Sequence, residues 1–224
     1  MRPSDDAARE STIRDAALHY KPVPRTNGPI LNWLAHVFLS PPNVEFQLGN
    51  LLADIVRRNQ RQGLPEDFVR GALRHHAIDV FTDAHPIVKR SRARLSETHR
   101  RFSAVIMDVF YDYLLATHWS EYSTITLDSF TTKFYFEAAA IKISLPDDAQ
   151  HVLTRIIQHD LLGQYSNLDG VKQSLRRLSM RLHARWGREF QLDNSMVELI
   201  EHEDELAADF AEFFPQLRMH VEGK

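Results

Sequence analysis

AVIMDVFYDYLLA, residues 104–116, is apolar on nearly every side when wound into a helix. A helix that is hydrophobic all round is usually buried. This one nonetheless carries Asp108 and Asp112, four positions apart and so one turn apart on a single face. A buried carboxylate costs several kcal/mol unless a cation or hydrogen-bond donors meet it. Arginine partners would satisfy the two aspartates, and so would a metal ion or a catalytic role.

Three further apolar stretches repeat the pattern. LNWLAHVFL (31–39) carries Asn32 and His36, LGNLLADIV (48–56) carries Asn50 and Asp54, and GALRHHAIDVF (71–81) carries His75 and Asp79. On a helical wheel Asp79, Asp83 and His76 fall within about 100° of His75. Val69, Leu73, Ala77, Val80 and Ala84 cover the adjoining arc, which the wheel assigns to the core. A solvated polar edge would give the same pattern, and a lone histidine on an apolar face is more often a hydrogen-bonded core residue than a ligand. Several such pairs converging from different helices would together hold a divalent metal, with Asn32 and Asn50 orienting His36 and Asp54.

From these blocks outward, residues 31–224 read as helices separated by short breakers, near 31–39, 44–58, 65–83, 86–97, 100–121, 126–142, 147–161, 168–186 and 193–219. Pro41 and Pro42 stop the first helix. Pro65 suits a first turn, and Pro86 ends the helix before it. Pro146 precedes Asp147 and Asp148, acids at a positive helix end. Asp193 or Asn194 is expected to cap the last helix. Period-two alternation is nowhere sustained. The expected fold is all-α, a single-domain multi-helix bundle over 31–224. Residues 1–30, with three prolines before Gly28 and little apolar periodicity, read as a flexible N-terminal leader. Trp33, Trp119 and Trp186 are expected to anchor the core.

Composition narrows the chemistry. The 224 residues include no cysteine, which removes disulfides, thiolate metal sites and cysteine nucleophiles and suits a cytoplasmic location. No apolar run approaches the roughly 20 residues that cross a bilayer. A net charge of −3 argues against bulk affinity for nucleic acid. Nucleophile elbows, P-loops and dinucleotide fingerprints are absent. A mixed His/Asp site favours Mn²⁺ or Mg²⁺ over structural zinc. Such a cation would bind a phosphoryl oxygen and lower the pKa of a coordinated water, which points to phosphoester hydrolysis.

LNWLAHVFLS, GNLLADIV, HHAIDVFTDAHPIV and DVFYDYLLATHW, in this order and spacing, resemble the acyl carrier protein phosphodiesterases. That family is regarded as an all-helical, divergent relative of the HD-domain phosphohydrolases. The quoted blocks span 31–119. The resemblance implies an HD-like bundle and a Mn²⁺-dependent hydrolase that cleaves the phosphodiester between 4′-phosphopantetheine and a serine of holo-acyl carrier protein, within fatty acid metabolism. Carried onto this chain, it implies metal-site positions at His36, Asp54, His75, Asp79 and Asp112, with catalytic roles among Asp54, Asp79 and Asp112. Asp83 and Asp108 match motif positions as well. One residue departs from the pattern: Tyr113 follows Asp112 where the family usually has histidine, and His118 or His76 would have to compensate.

Acyl carrier proteins are acidic, so basic clusters become candidate docking sites: Arg57, Arg58 and Arg61; Lys89, Arg90, Arg92 and Arg94; Arg100 and Arg101; and the run from Arg176 to Arg188. The first lies less than a turn beyond Asp54 and is the preferred one. The competing readings are an HD-like phosphohydrolase acting on another small phosphoester, and a homologue that binds carrier protein without turning it over.

Overall fold

The breakers anticipated along the chain begin and end the helices of the computed structural model, which describes residues 33–222. The leader and Asn32 lie outside the described residues. The helices are α1 (Trp33–Phe38), α2 (Val44–Leu52), α3 (Glu66–Ala84), α4 (Pro86–Ala93), α5 (Glu97–Arg100) and α6 (Ser103–Thr117). They continue with α7 (Trp119–Tyr122), α8 (Leu127–Ala140), α9 (Asp147–Gln158), α10 (Leu168–Trp186), α11 (Met196–Glu201) and α12 (Glu203–Glu222). No strand occurs among the described residues, and none of their helices is long and apolar enough to cross a membrane.

Local chemistry fixes the starts. The Asn43 side chain accepts the amide of Phe46 at 3.0 Å, Thr126 that of Ser129 at 3.1 Å and Asn167 that of Gly170 at 2.9 Å, each satisfying an orphan donor of a first turn. Pro86 occupies the first turn of α4, where a missing N–H costs nothing.

α6 runs through the middle of the bundle. Its Ile106, Val109, Phe110, Leu114 and Leu115 are wholly buried, packed with α1, α4, α10 and α12. Leu34, Phe68, Ile156, Leu175 and Phe213 complete the same continuous core. Trp33 and Trp119 are buried as expected, whereas Trp186 is half-exposed under the guanidinium groups of Arg101 and Arg185.

α2 and α3 form the closest pair because two glycines let the backbones meet. A Cβ on Gly49 would overlap the Phe68 carbonyl, and one on Gly71 would overlap the Phe46 carbonyl and crowd the Asn50 amide. This contact sets the spacing of the site described below.

Four expectations require correction. The helix expected over 44–58 ends at Leu52, so Asp54 stands in a turn and does not share a helix face with Asn50. The Arg61 guanidinium donates to the carbonyls of Ala53 at 2.7 Å and Val56 at 3.0 Å, satisfying groups that a continuing helix would have used. The core face of α3 was also misassigned: Leu73 is 62% and Val80 53% exposed. The buried residues are Phe68, Gly71, Ala72, His75, Ile78, Asp79 and Thr82, a face centred on the polar pair. The glycine contact with α2 turns that face inward, and the pairing of His75 and Asp79 offsets its desolvation. The stretches expected as single helices over 86–97 and 100–121 are interrupted, giving α4 to α7. At the end of the chain the expected helix divides at His202, and Asp193 pairs with Arg176 at 2.8 Å. There Gln191 precedes a 3₁₀ turn over Leu192–Ser195 and Ser195 precedes α11, neither with a side-chain cap.

Candidate metal centre

α1 is only six residues long, and its entry is set by a group from another helix. The wholly buried Asp112 of α6 accepts the amides of Leu34 at 3.0 Å and Ala35 at 2.8 Å. These amides are orphan donors of the first turn of α1, and the carboxyl oxygens satisfy them. Burial drives this carboxyl well above the usual range, the two amides pull against that rise, and the charge of Asp108 adds to it. One turn inside α1, His36 is thereby fixed against α2 and α3.

Asn50 orients both histidines. Its Oδ1 accepts from His36 Nδ1 at 2.7 Å, and its backbone carbonyl accepts from His75 Nδ1 at 2.8 Å. Its amide nitrogen donates to the His36 carbonyl at 2.8 Å and to Ser40 Oγ at 2.9 Å, which fixes which way the amide faces. A carbonyl oxygen only accepts, so Nδ1 carries the proton on both rings and each Nε2 turns to the opposite side. The rings stack at 4.1 Å with 21° between planes.

The Nε2 atoms converge on carboxylates. His36 Nε2 lies 3.6 Å from Asp79 Oδ1, and His75 Nε2 lies 3.3 Å from Asp79 Oδ2 and 3.4 Å from Asp54 Oδ1. Both Nε2 atoms and Asp54 Oδ2 are buried and make no hydrogen bond. Ligand atoms about 2.1 Å from one divalent ion stand about 3.0–3.5 Å from one another. The donors of His36, His75 and Asp79 lie within 4.8 Å of one another. Orphaned buried nitrogens at that spacing, beside a carboxylate, fit a divalent cation.

Electrostatics support the same use. Burial and the charge of His75 hold His36 below its ordinary value, which leaves its ring neutral. Burial alone would lower His75, but the close approach and charge of the Asp54 and Asp79 carboxylates outweigh it and raise His75 to about 10. Burial would raise Asp79, but the two histidines hold it well below the usual carboxylate range. In the metal-free chain this raised His75 contributes stability that is complete below about 6.5 and lost as pH rises through about 10. A cation must displace the His75 proton, so binding near neutral pH is expected to release about one proton per ion. Titration calorimetry in buffers of different ionisation enthalpy measures this; zero release would mean a neutral His75 in the free protein.

Asn50→Ala is expected to weaken divalent-metal affinity about 10- to 100-fold while the fold persists, because both rings lose part of their support. His36 would lose its acceptor, whereas the backbone carbonyl holding His75 would remain. Unchanged affinity would show that packing alone orients the imidazoles.

His36, Asp54, His75 and Asp79 are thus brought together, and Asp112 supports them through α1 with both oxygens taken by amides. Asp83 pairs with Arg92 at 2.8 Å, and Asp108 is half-buried on α6. Tyr113 donates to Glu203 at 2.7 Å, tying α6 to the start of α12, and burial and that carboxylate push its hydroxyl up to about 12. His118 holds the Leu114 carbonyl at 3.0 Å, and His76 faces solvent. Ser40 escaped the sequence reading: its hydroxyl donates to the His36 carbonyl at 2.8 Å and receives Asn50. No local signal separates it from any serine preceding a proline.

A profile of the acyl carrier protein phosphodiesterase family matches residues 31–217. The acyl carrier protein phosphodiesterase of Escherichia coli O6:H1 is 31% identical over 198 residues, covering 87% of this chain and 99% of that protein. That of Enterobacter sp. (strain 638) is 30% identical over 195 residues, covering 87% and 99%. That of Yersinia pestis is 35% identical over 129 residues, 58% of each. No solved structure matches the chain.

Proposed function

Because the chain belongs to the acyl carrier protein phosphodiesterase family, we propose that it hydrolyses the phosphodiester joining 4′-phosphopantetheine to a serine of holo-acyl carrier protein, with Mn²⁺ as its cation and Mg²⁺ as the substitute. The observation that carries this is the pair of buried, unbonded imidazole nitrogens facing Asp79. His36, His75 and Asp79 would hold the ion. It would supply Lewis-acid polarisation of a phosphoryl oxygen and acidify the attacking water.

The chain's own residues account for the rest. Asp54, with one oxygen free of hydrogen bonds and a side chain 30% exposed, stands where water and substrate enter and takes the proton of the attacking water. The water oxygen bonds to phosphorus as the serine Oγ–P bond breaks, and the serine oxygen regains a proton. Apo-carrier protein and free 4′-phosphopantetheine leave. Asp112 acts through α1, by keeping His36 in place. Tyr113 is spent on Glu203, so the departure from the family's histidine leaves the four clustered side chains as they are.

Mass spectrometry of holo-acyl carrier protein incubated with the purified chain and Mn²⁺ tests the proposal, beside an Asp54→Ala control. A loss equal to phosphopantetheine, absent in the control, supports it. An unchanged carrier protein together with cleavage of bis(4-nitrophenyl) phosphate would move the activity to another phosphoester. No metal-dependent cleavage of either would leave a non-catalytic homologue.

A further inference from the structure

With a divalent ion bound, the centre described above carries no net charge. The ion's two positive charges meet the Asp79 and Asp54 carboxylates, and His36 and His75 bind as neutral rings. A phosphodiester brings a further negative charge, and more gathers on its oxygens as water attacks. That charge calls for a second, fixed cation at the mouth. His36, His75 and Asp79 have side chains 1%, 7% and 5% exposed against 30% for Asp54, so the mouth lies on the Asp54 side.

Arg61 is the cation that the fold places there. It follows a 3₁₀ turn over Arg58–Gln60 that is closed locally. The Gln60 side-chain oxygen accepts the Arg57 amide at 3.0 Å, and the Arg58 carbonyl accepts the Arg61 amide at 3.4 Å. The Arg61 side chain then folds back on the Asp54 turn. Its Nη2 donates to the Ala53 carbonyl at 2.7 Å and its Nε to the Val56 carbonyl at 3.0 Å. The Ala53 carbonyl belongs to the peptide that joins Ala53 to Asp54, which sets Nη2 within about 6 Å of the Asp54 Cα. Burial lowers the guanidinium, the charge of Asp54 opposes that fall, and the charge of Arg58 adds to it.

A guanidinium has five N–H donors in one plane. Two are used on the carbonyls. Among the described residues the other three, both on Nη1 and one on Nη2, meet no acceptor. Parallel donors on Nη1 and Nη2 form a fork that fits two oxygens of one phosphoryl group. The carbonyl bonds fix its plane, so the fork is in position before substrate arrives. Other cations lack this placement. Arg58, Lys89 and Arg100 are exposed, and among the described residues no hydrogen bond fixes their side chains. Arg92 is turned to Asp83, and Arg90 and Arg94 to Asp209.

Resting on the hydrolysis proposed above, we propose that Arg61 is a substrate-binding residue of this centre, whose N–H fork receives the non-bridging oxygens of the phosphodiester beside Asp54. The same guanidinium that ends α2 thereby sets the proton acceptor and the phosphoryl group relative to each other.

Inorganic phosphate reads this contact without chemistry, by titration calorimetry of the Mn²⁺-loaded chain. Arg61→Lys keeps the charge and a donor for the Ala53 carbonyl but loses the fork. Its Mn²⁺ affinity is expected to stay within about threefold of wild type, while phosphate affinity falls at least about tenfold. Arg61→Gln, which keeps an amide donor and loses the charge, is expected to lose more phosphate affinity than Arg61→Lys. On bis(4-nitrophenyl) phosphate both variants should lose more in kcat than in KM, because the contact strengthens as charge gathers on the oxygens. Unchanged phosphate affinity in both variants overturns the inference, as does a wild-type chain that binds Mn²⁺ but no phosphate. A fall in phosphate affinity matched by an equal fall in Mn²⁺ affinity overturns it too, leaving Arg61 as a support of the turn. Holo-carrier cleavage together with unchanged phosphate affinity in the variants would spare the proposed reaction and remove the fork. Phosphate held through Arg61 without holo-carrier cleavage would keep the fork and remove the proposed reaction.

Discussion

Asp79→Ala is expected to lower divalent-metal affinity at least about a hundredfold and hydrolysis at least about a thousandfold, the latter equivalent to about 4 kcal/mol of barrier. Among the described residues, Asp79 is the carboxylate that faces both imidazole nitrogens, at 3.6 and 3.3 Å. Its removal leaves a buried pair of stacked rings with no anion between them. Asp54 approaches only His75 and cannot replace it. Without Asp79 one of the groups that raise His75 is gone, so His75 is also expected to titrate below its value of about 10 in the metal-free protein. Asp83→Ala is the control: it lies one turn further along α3 and pairs with Arg92, so metal affinity should stay within about twofold. Calorimetric titration with Mn²⁺ measures both variants. An Asp79→Ala protein that binds the ion as tightly as wild type would remove the centre from where it is placed here.

Gly71→Ala is the second large effect, and its sign is the reverse of the usual one. Alanine inside a helix is normally worth about 1 kcal/mol over glycine. Here the added Cβ meets the Phe46 carbonyl and the Asn50 amide, which are backbone groups that cannot swing aside. Overpacking of this kind costs about 1–3 kcal/mol and occasionally more. A net loss of about 2 kcal/mol corresponds to a drop in Tm of about 4–8 °C for a chain of this size. Relief by separating α2 from α3 would also pull the Asn50 carbonyl from His75, so metal affinity should fall with stability. Leu73→Ala, on the exposed side of the same helix, should change stability by less than about 0.5 kcal/mol. Thermal unfolding of the three proteins, with and without Mn²⁺, separates the cases. A Gly71→Ala chain more stable than wild type would show that the two helices yield without cost.

The sequence carried the positions of most helices because their stops and starts are local: a proline, an asparagine cap or an acidic first turn acts within a few residues. It also identified α6 as buried, since residues 104–116 leave no polar face to turn toward water. His75 and Asp79 were legible as a pair for the same reason, being one turn apart on a helix that does form. Asn50 and Asp54 carried the same spacing and misled, because Arg61, several residues away, ends α2 between them. The α3 core face misled too. A helical wheel ranks faces by apolarity, and here the polar face goes inward while Leu73 and Val80 remain in water.

Residue type and spacing pointed to an all-helical chain with aspartates and histidines embedded in apolar segments, and the resemblance of those segments pointed to the family whose profile matches residues 31–217. Which of those side chains meet was decided by tertiary packing. His36 reaches His75 because Asp112 anchors α1 from across the bundle, because Asn50 holds both rings, and because two glycines let α2 and α3 touch. These are contacts between groups 14 to 78 residues apart. Their energy depends on distance and burial, which spacing along a chain does not encode.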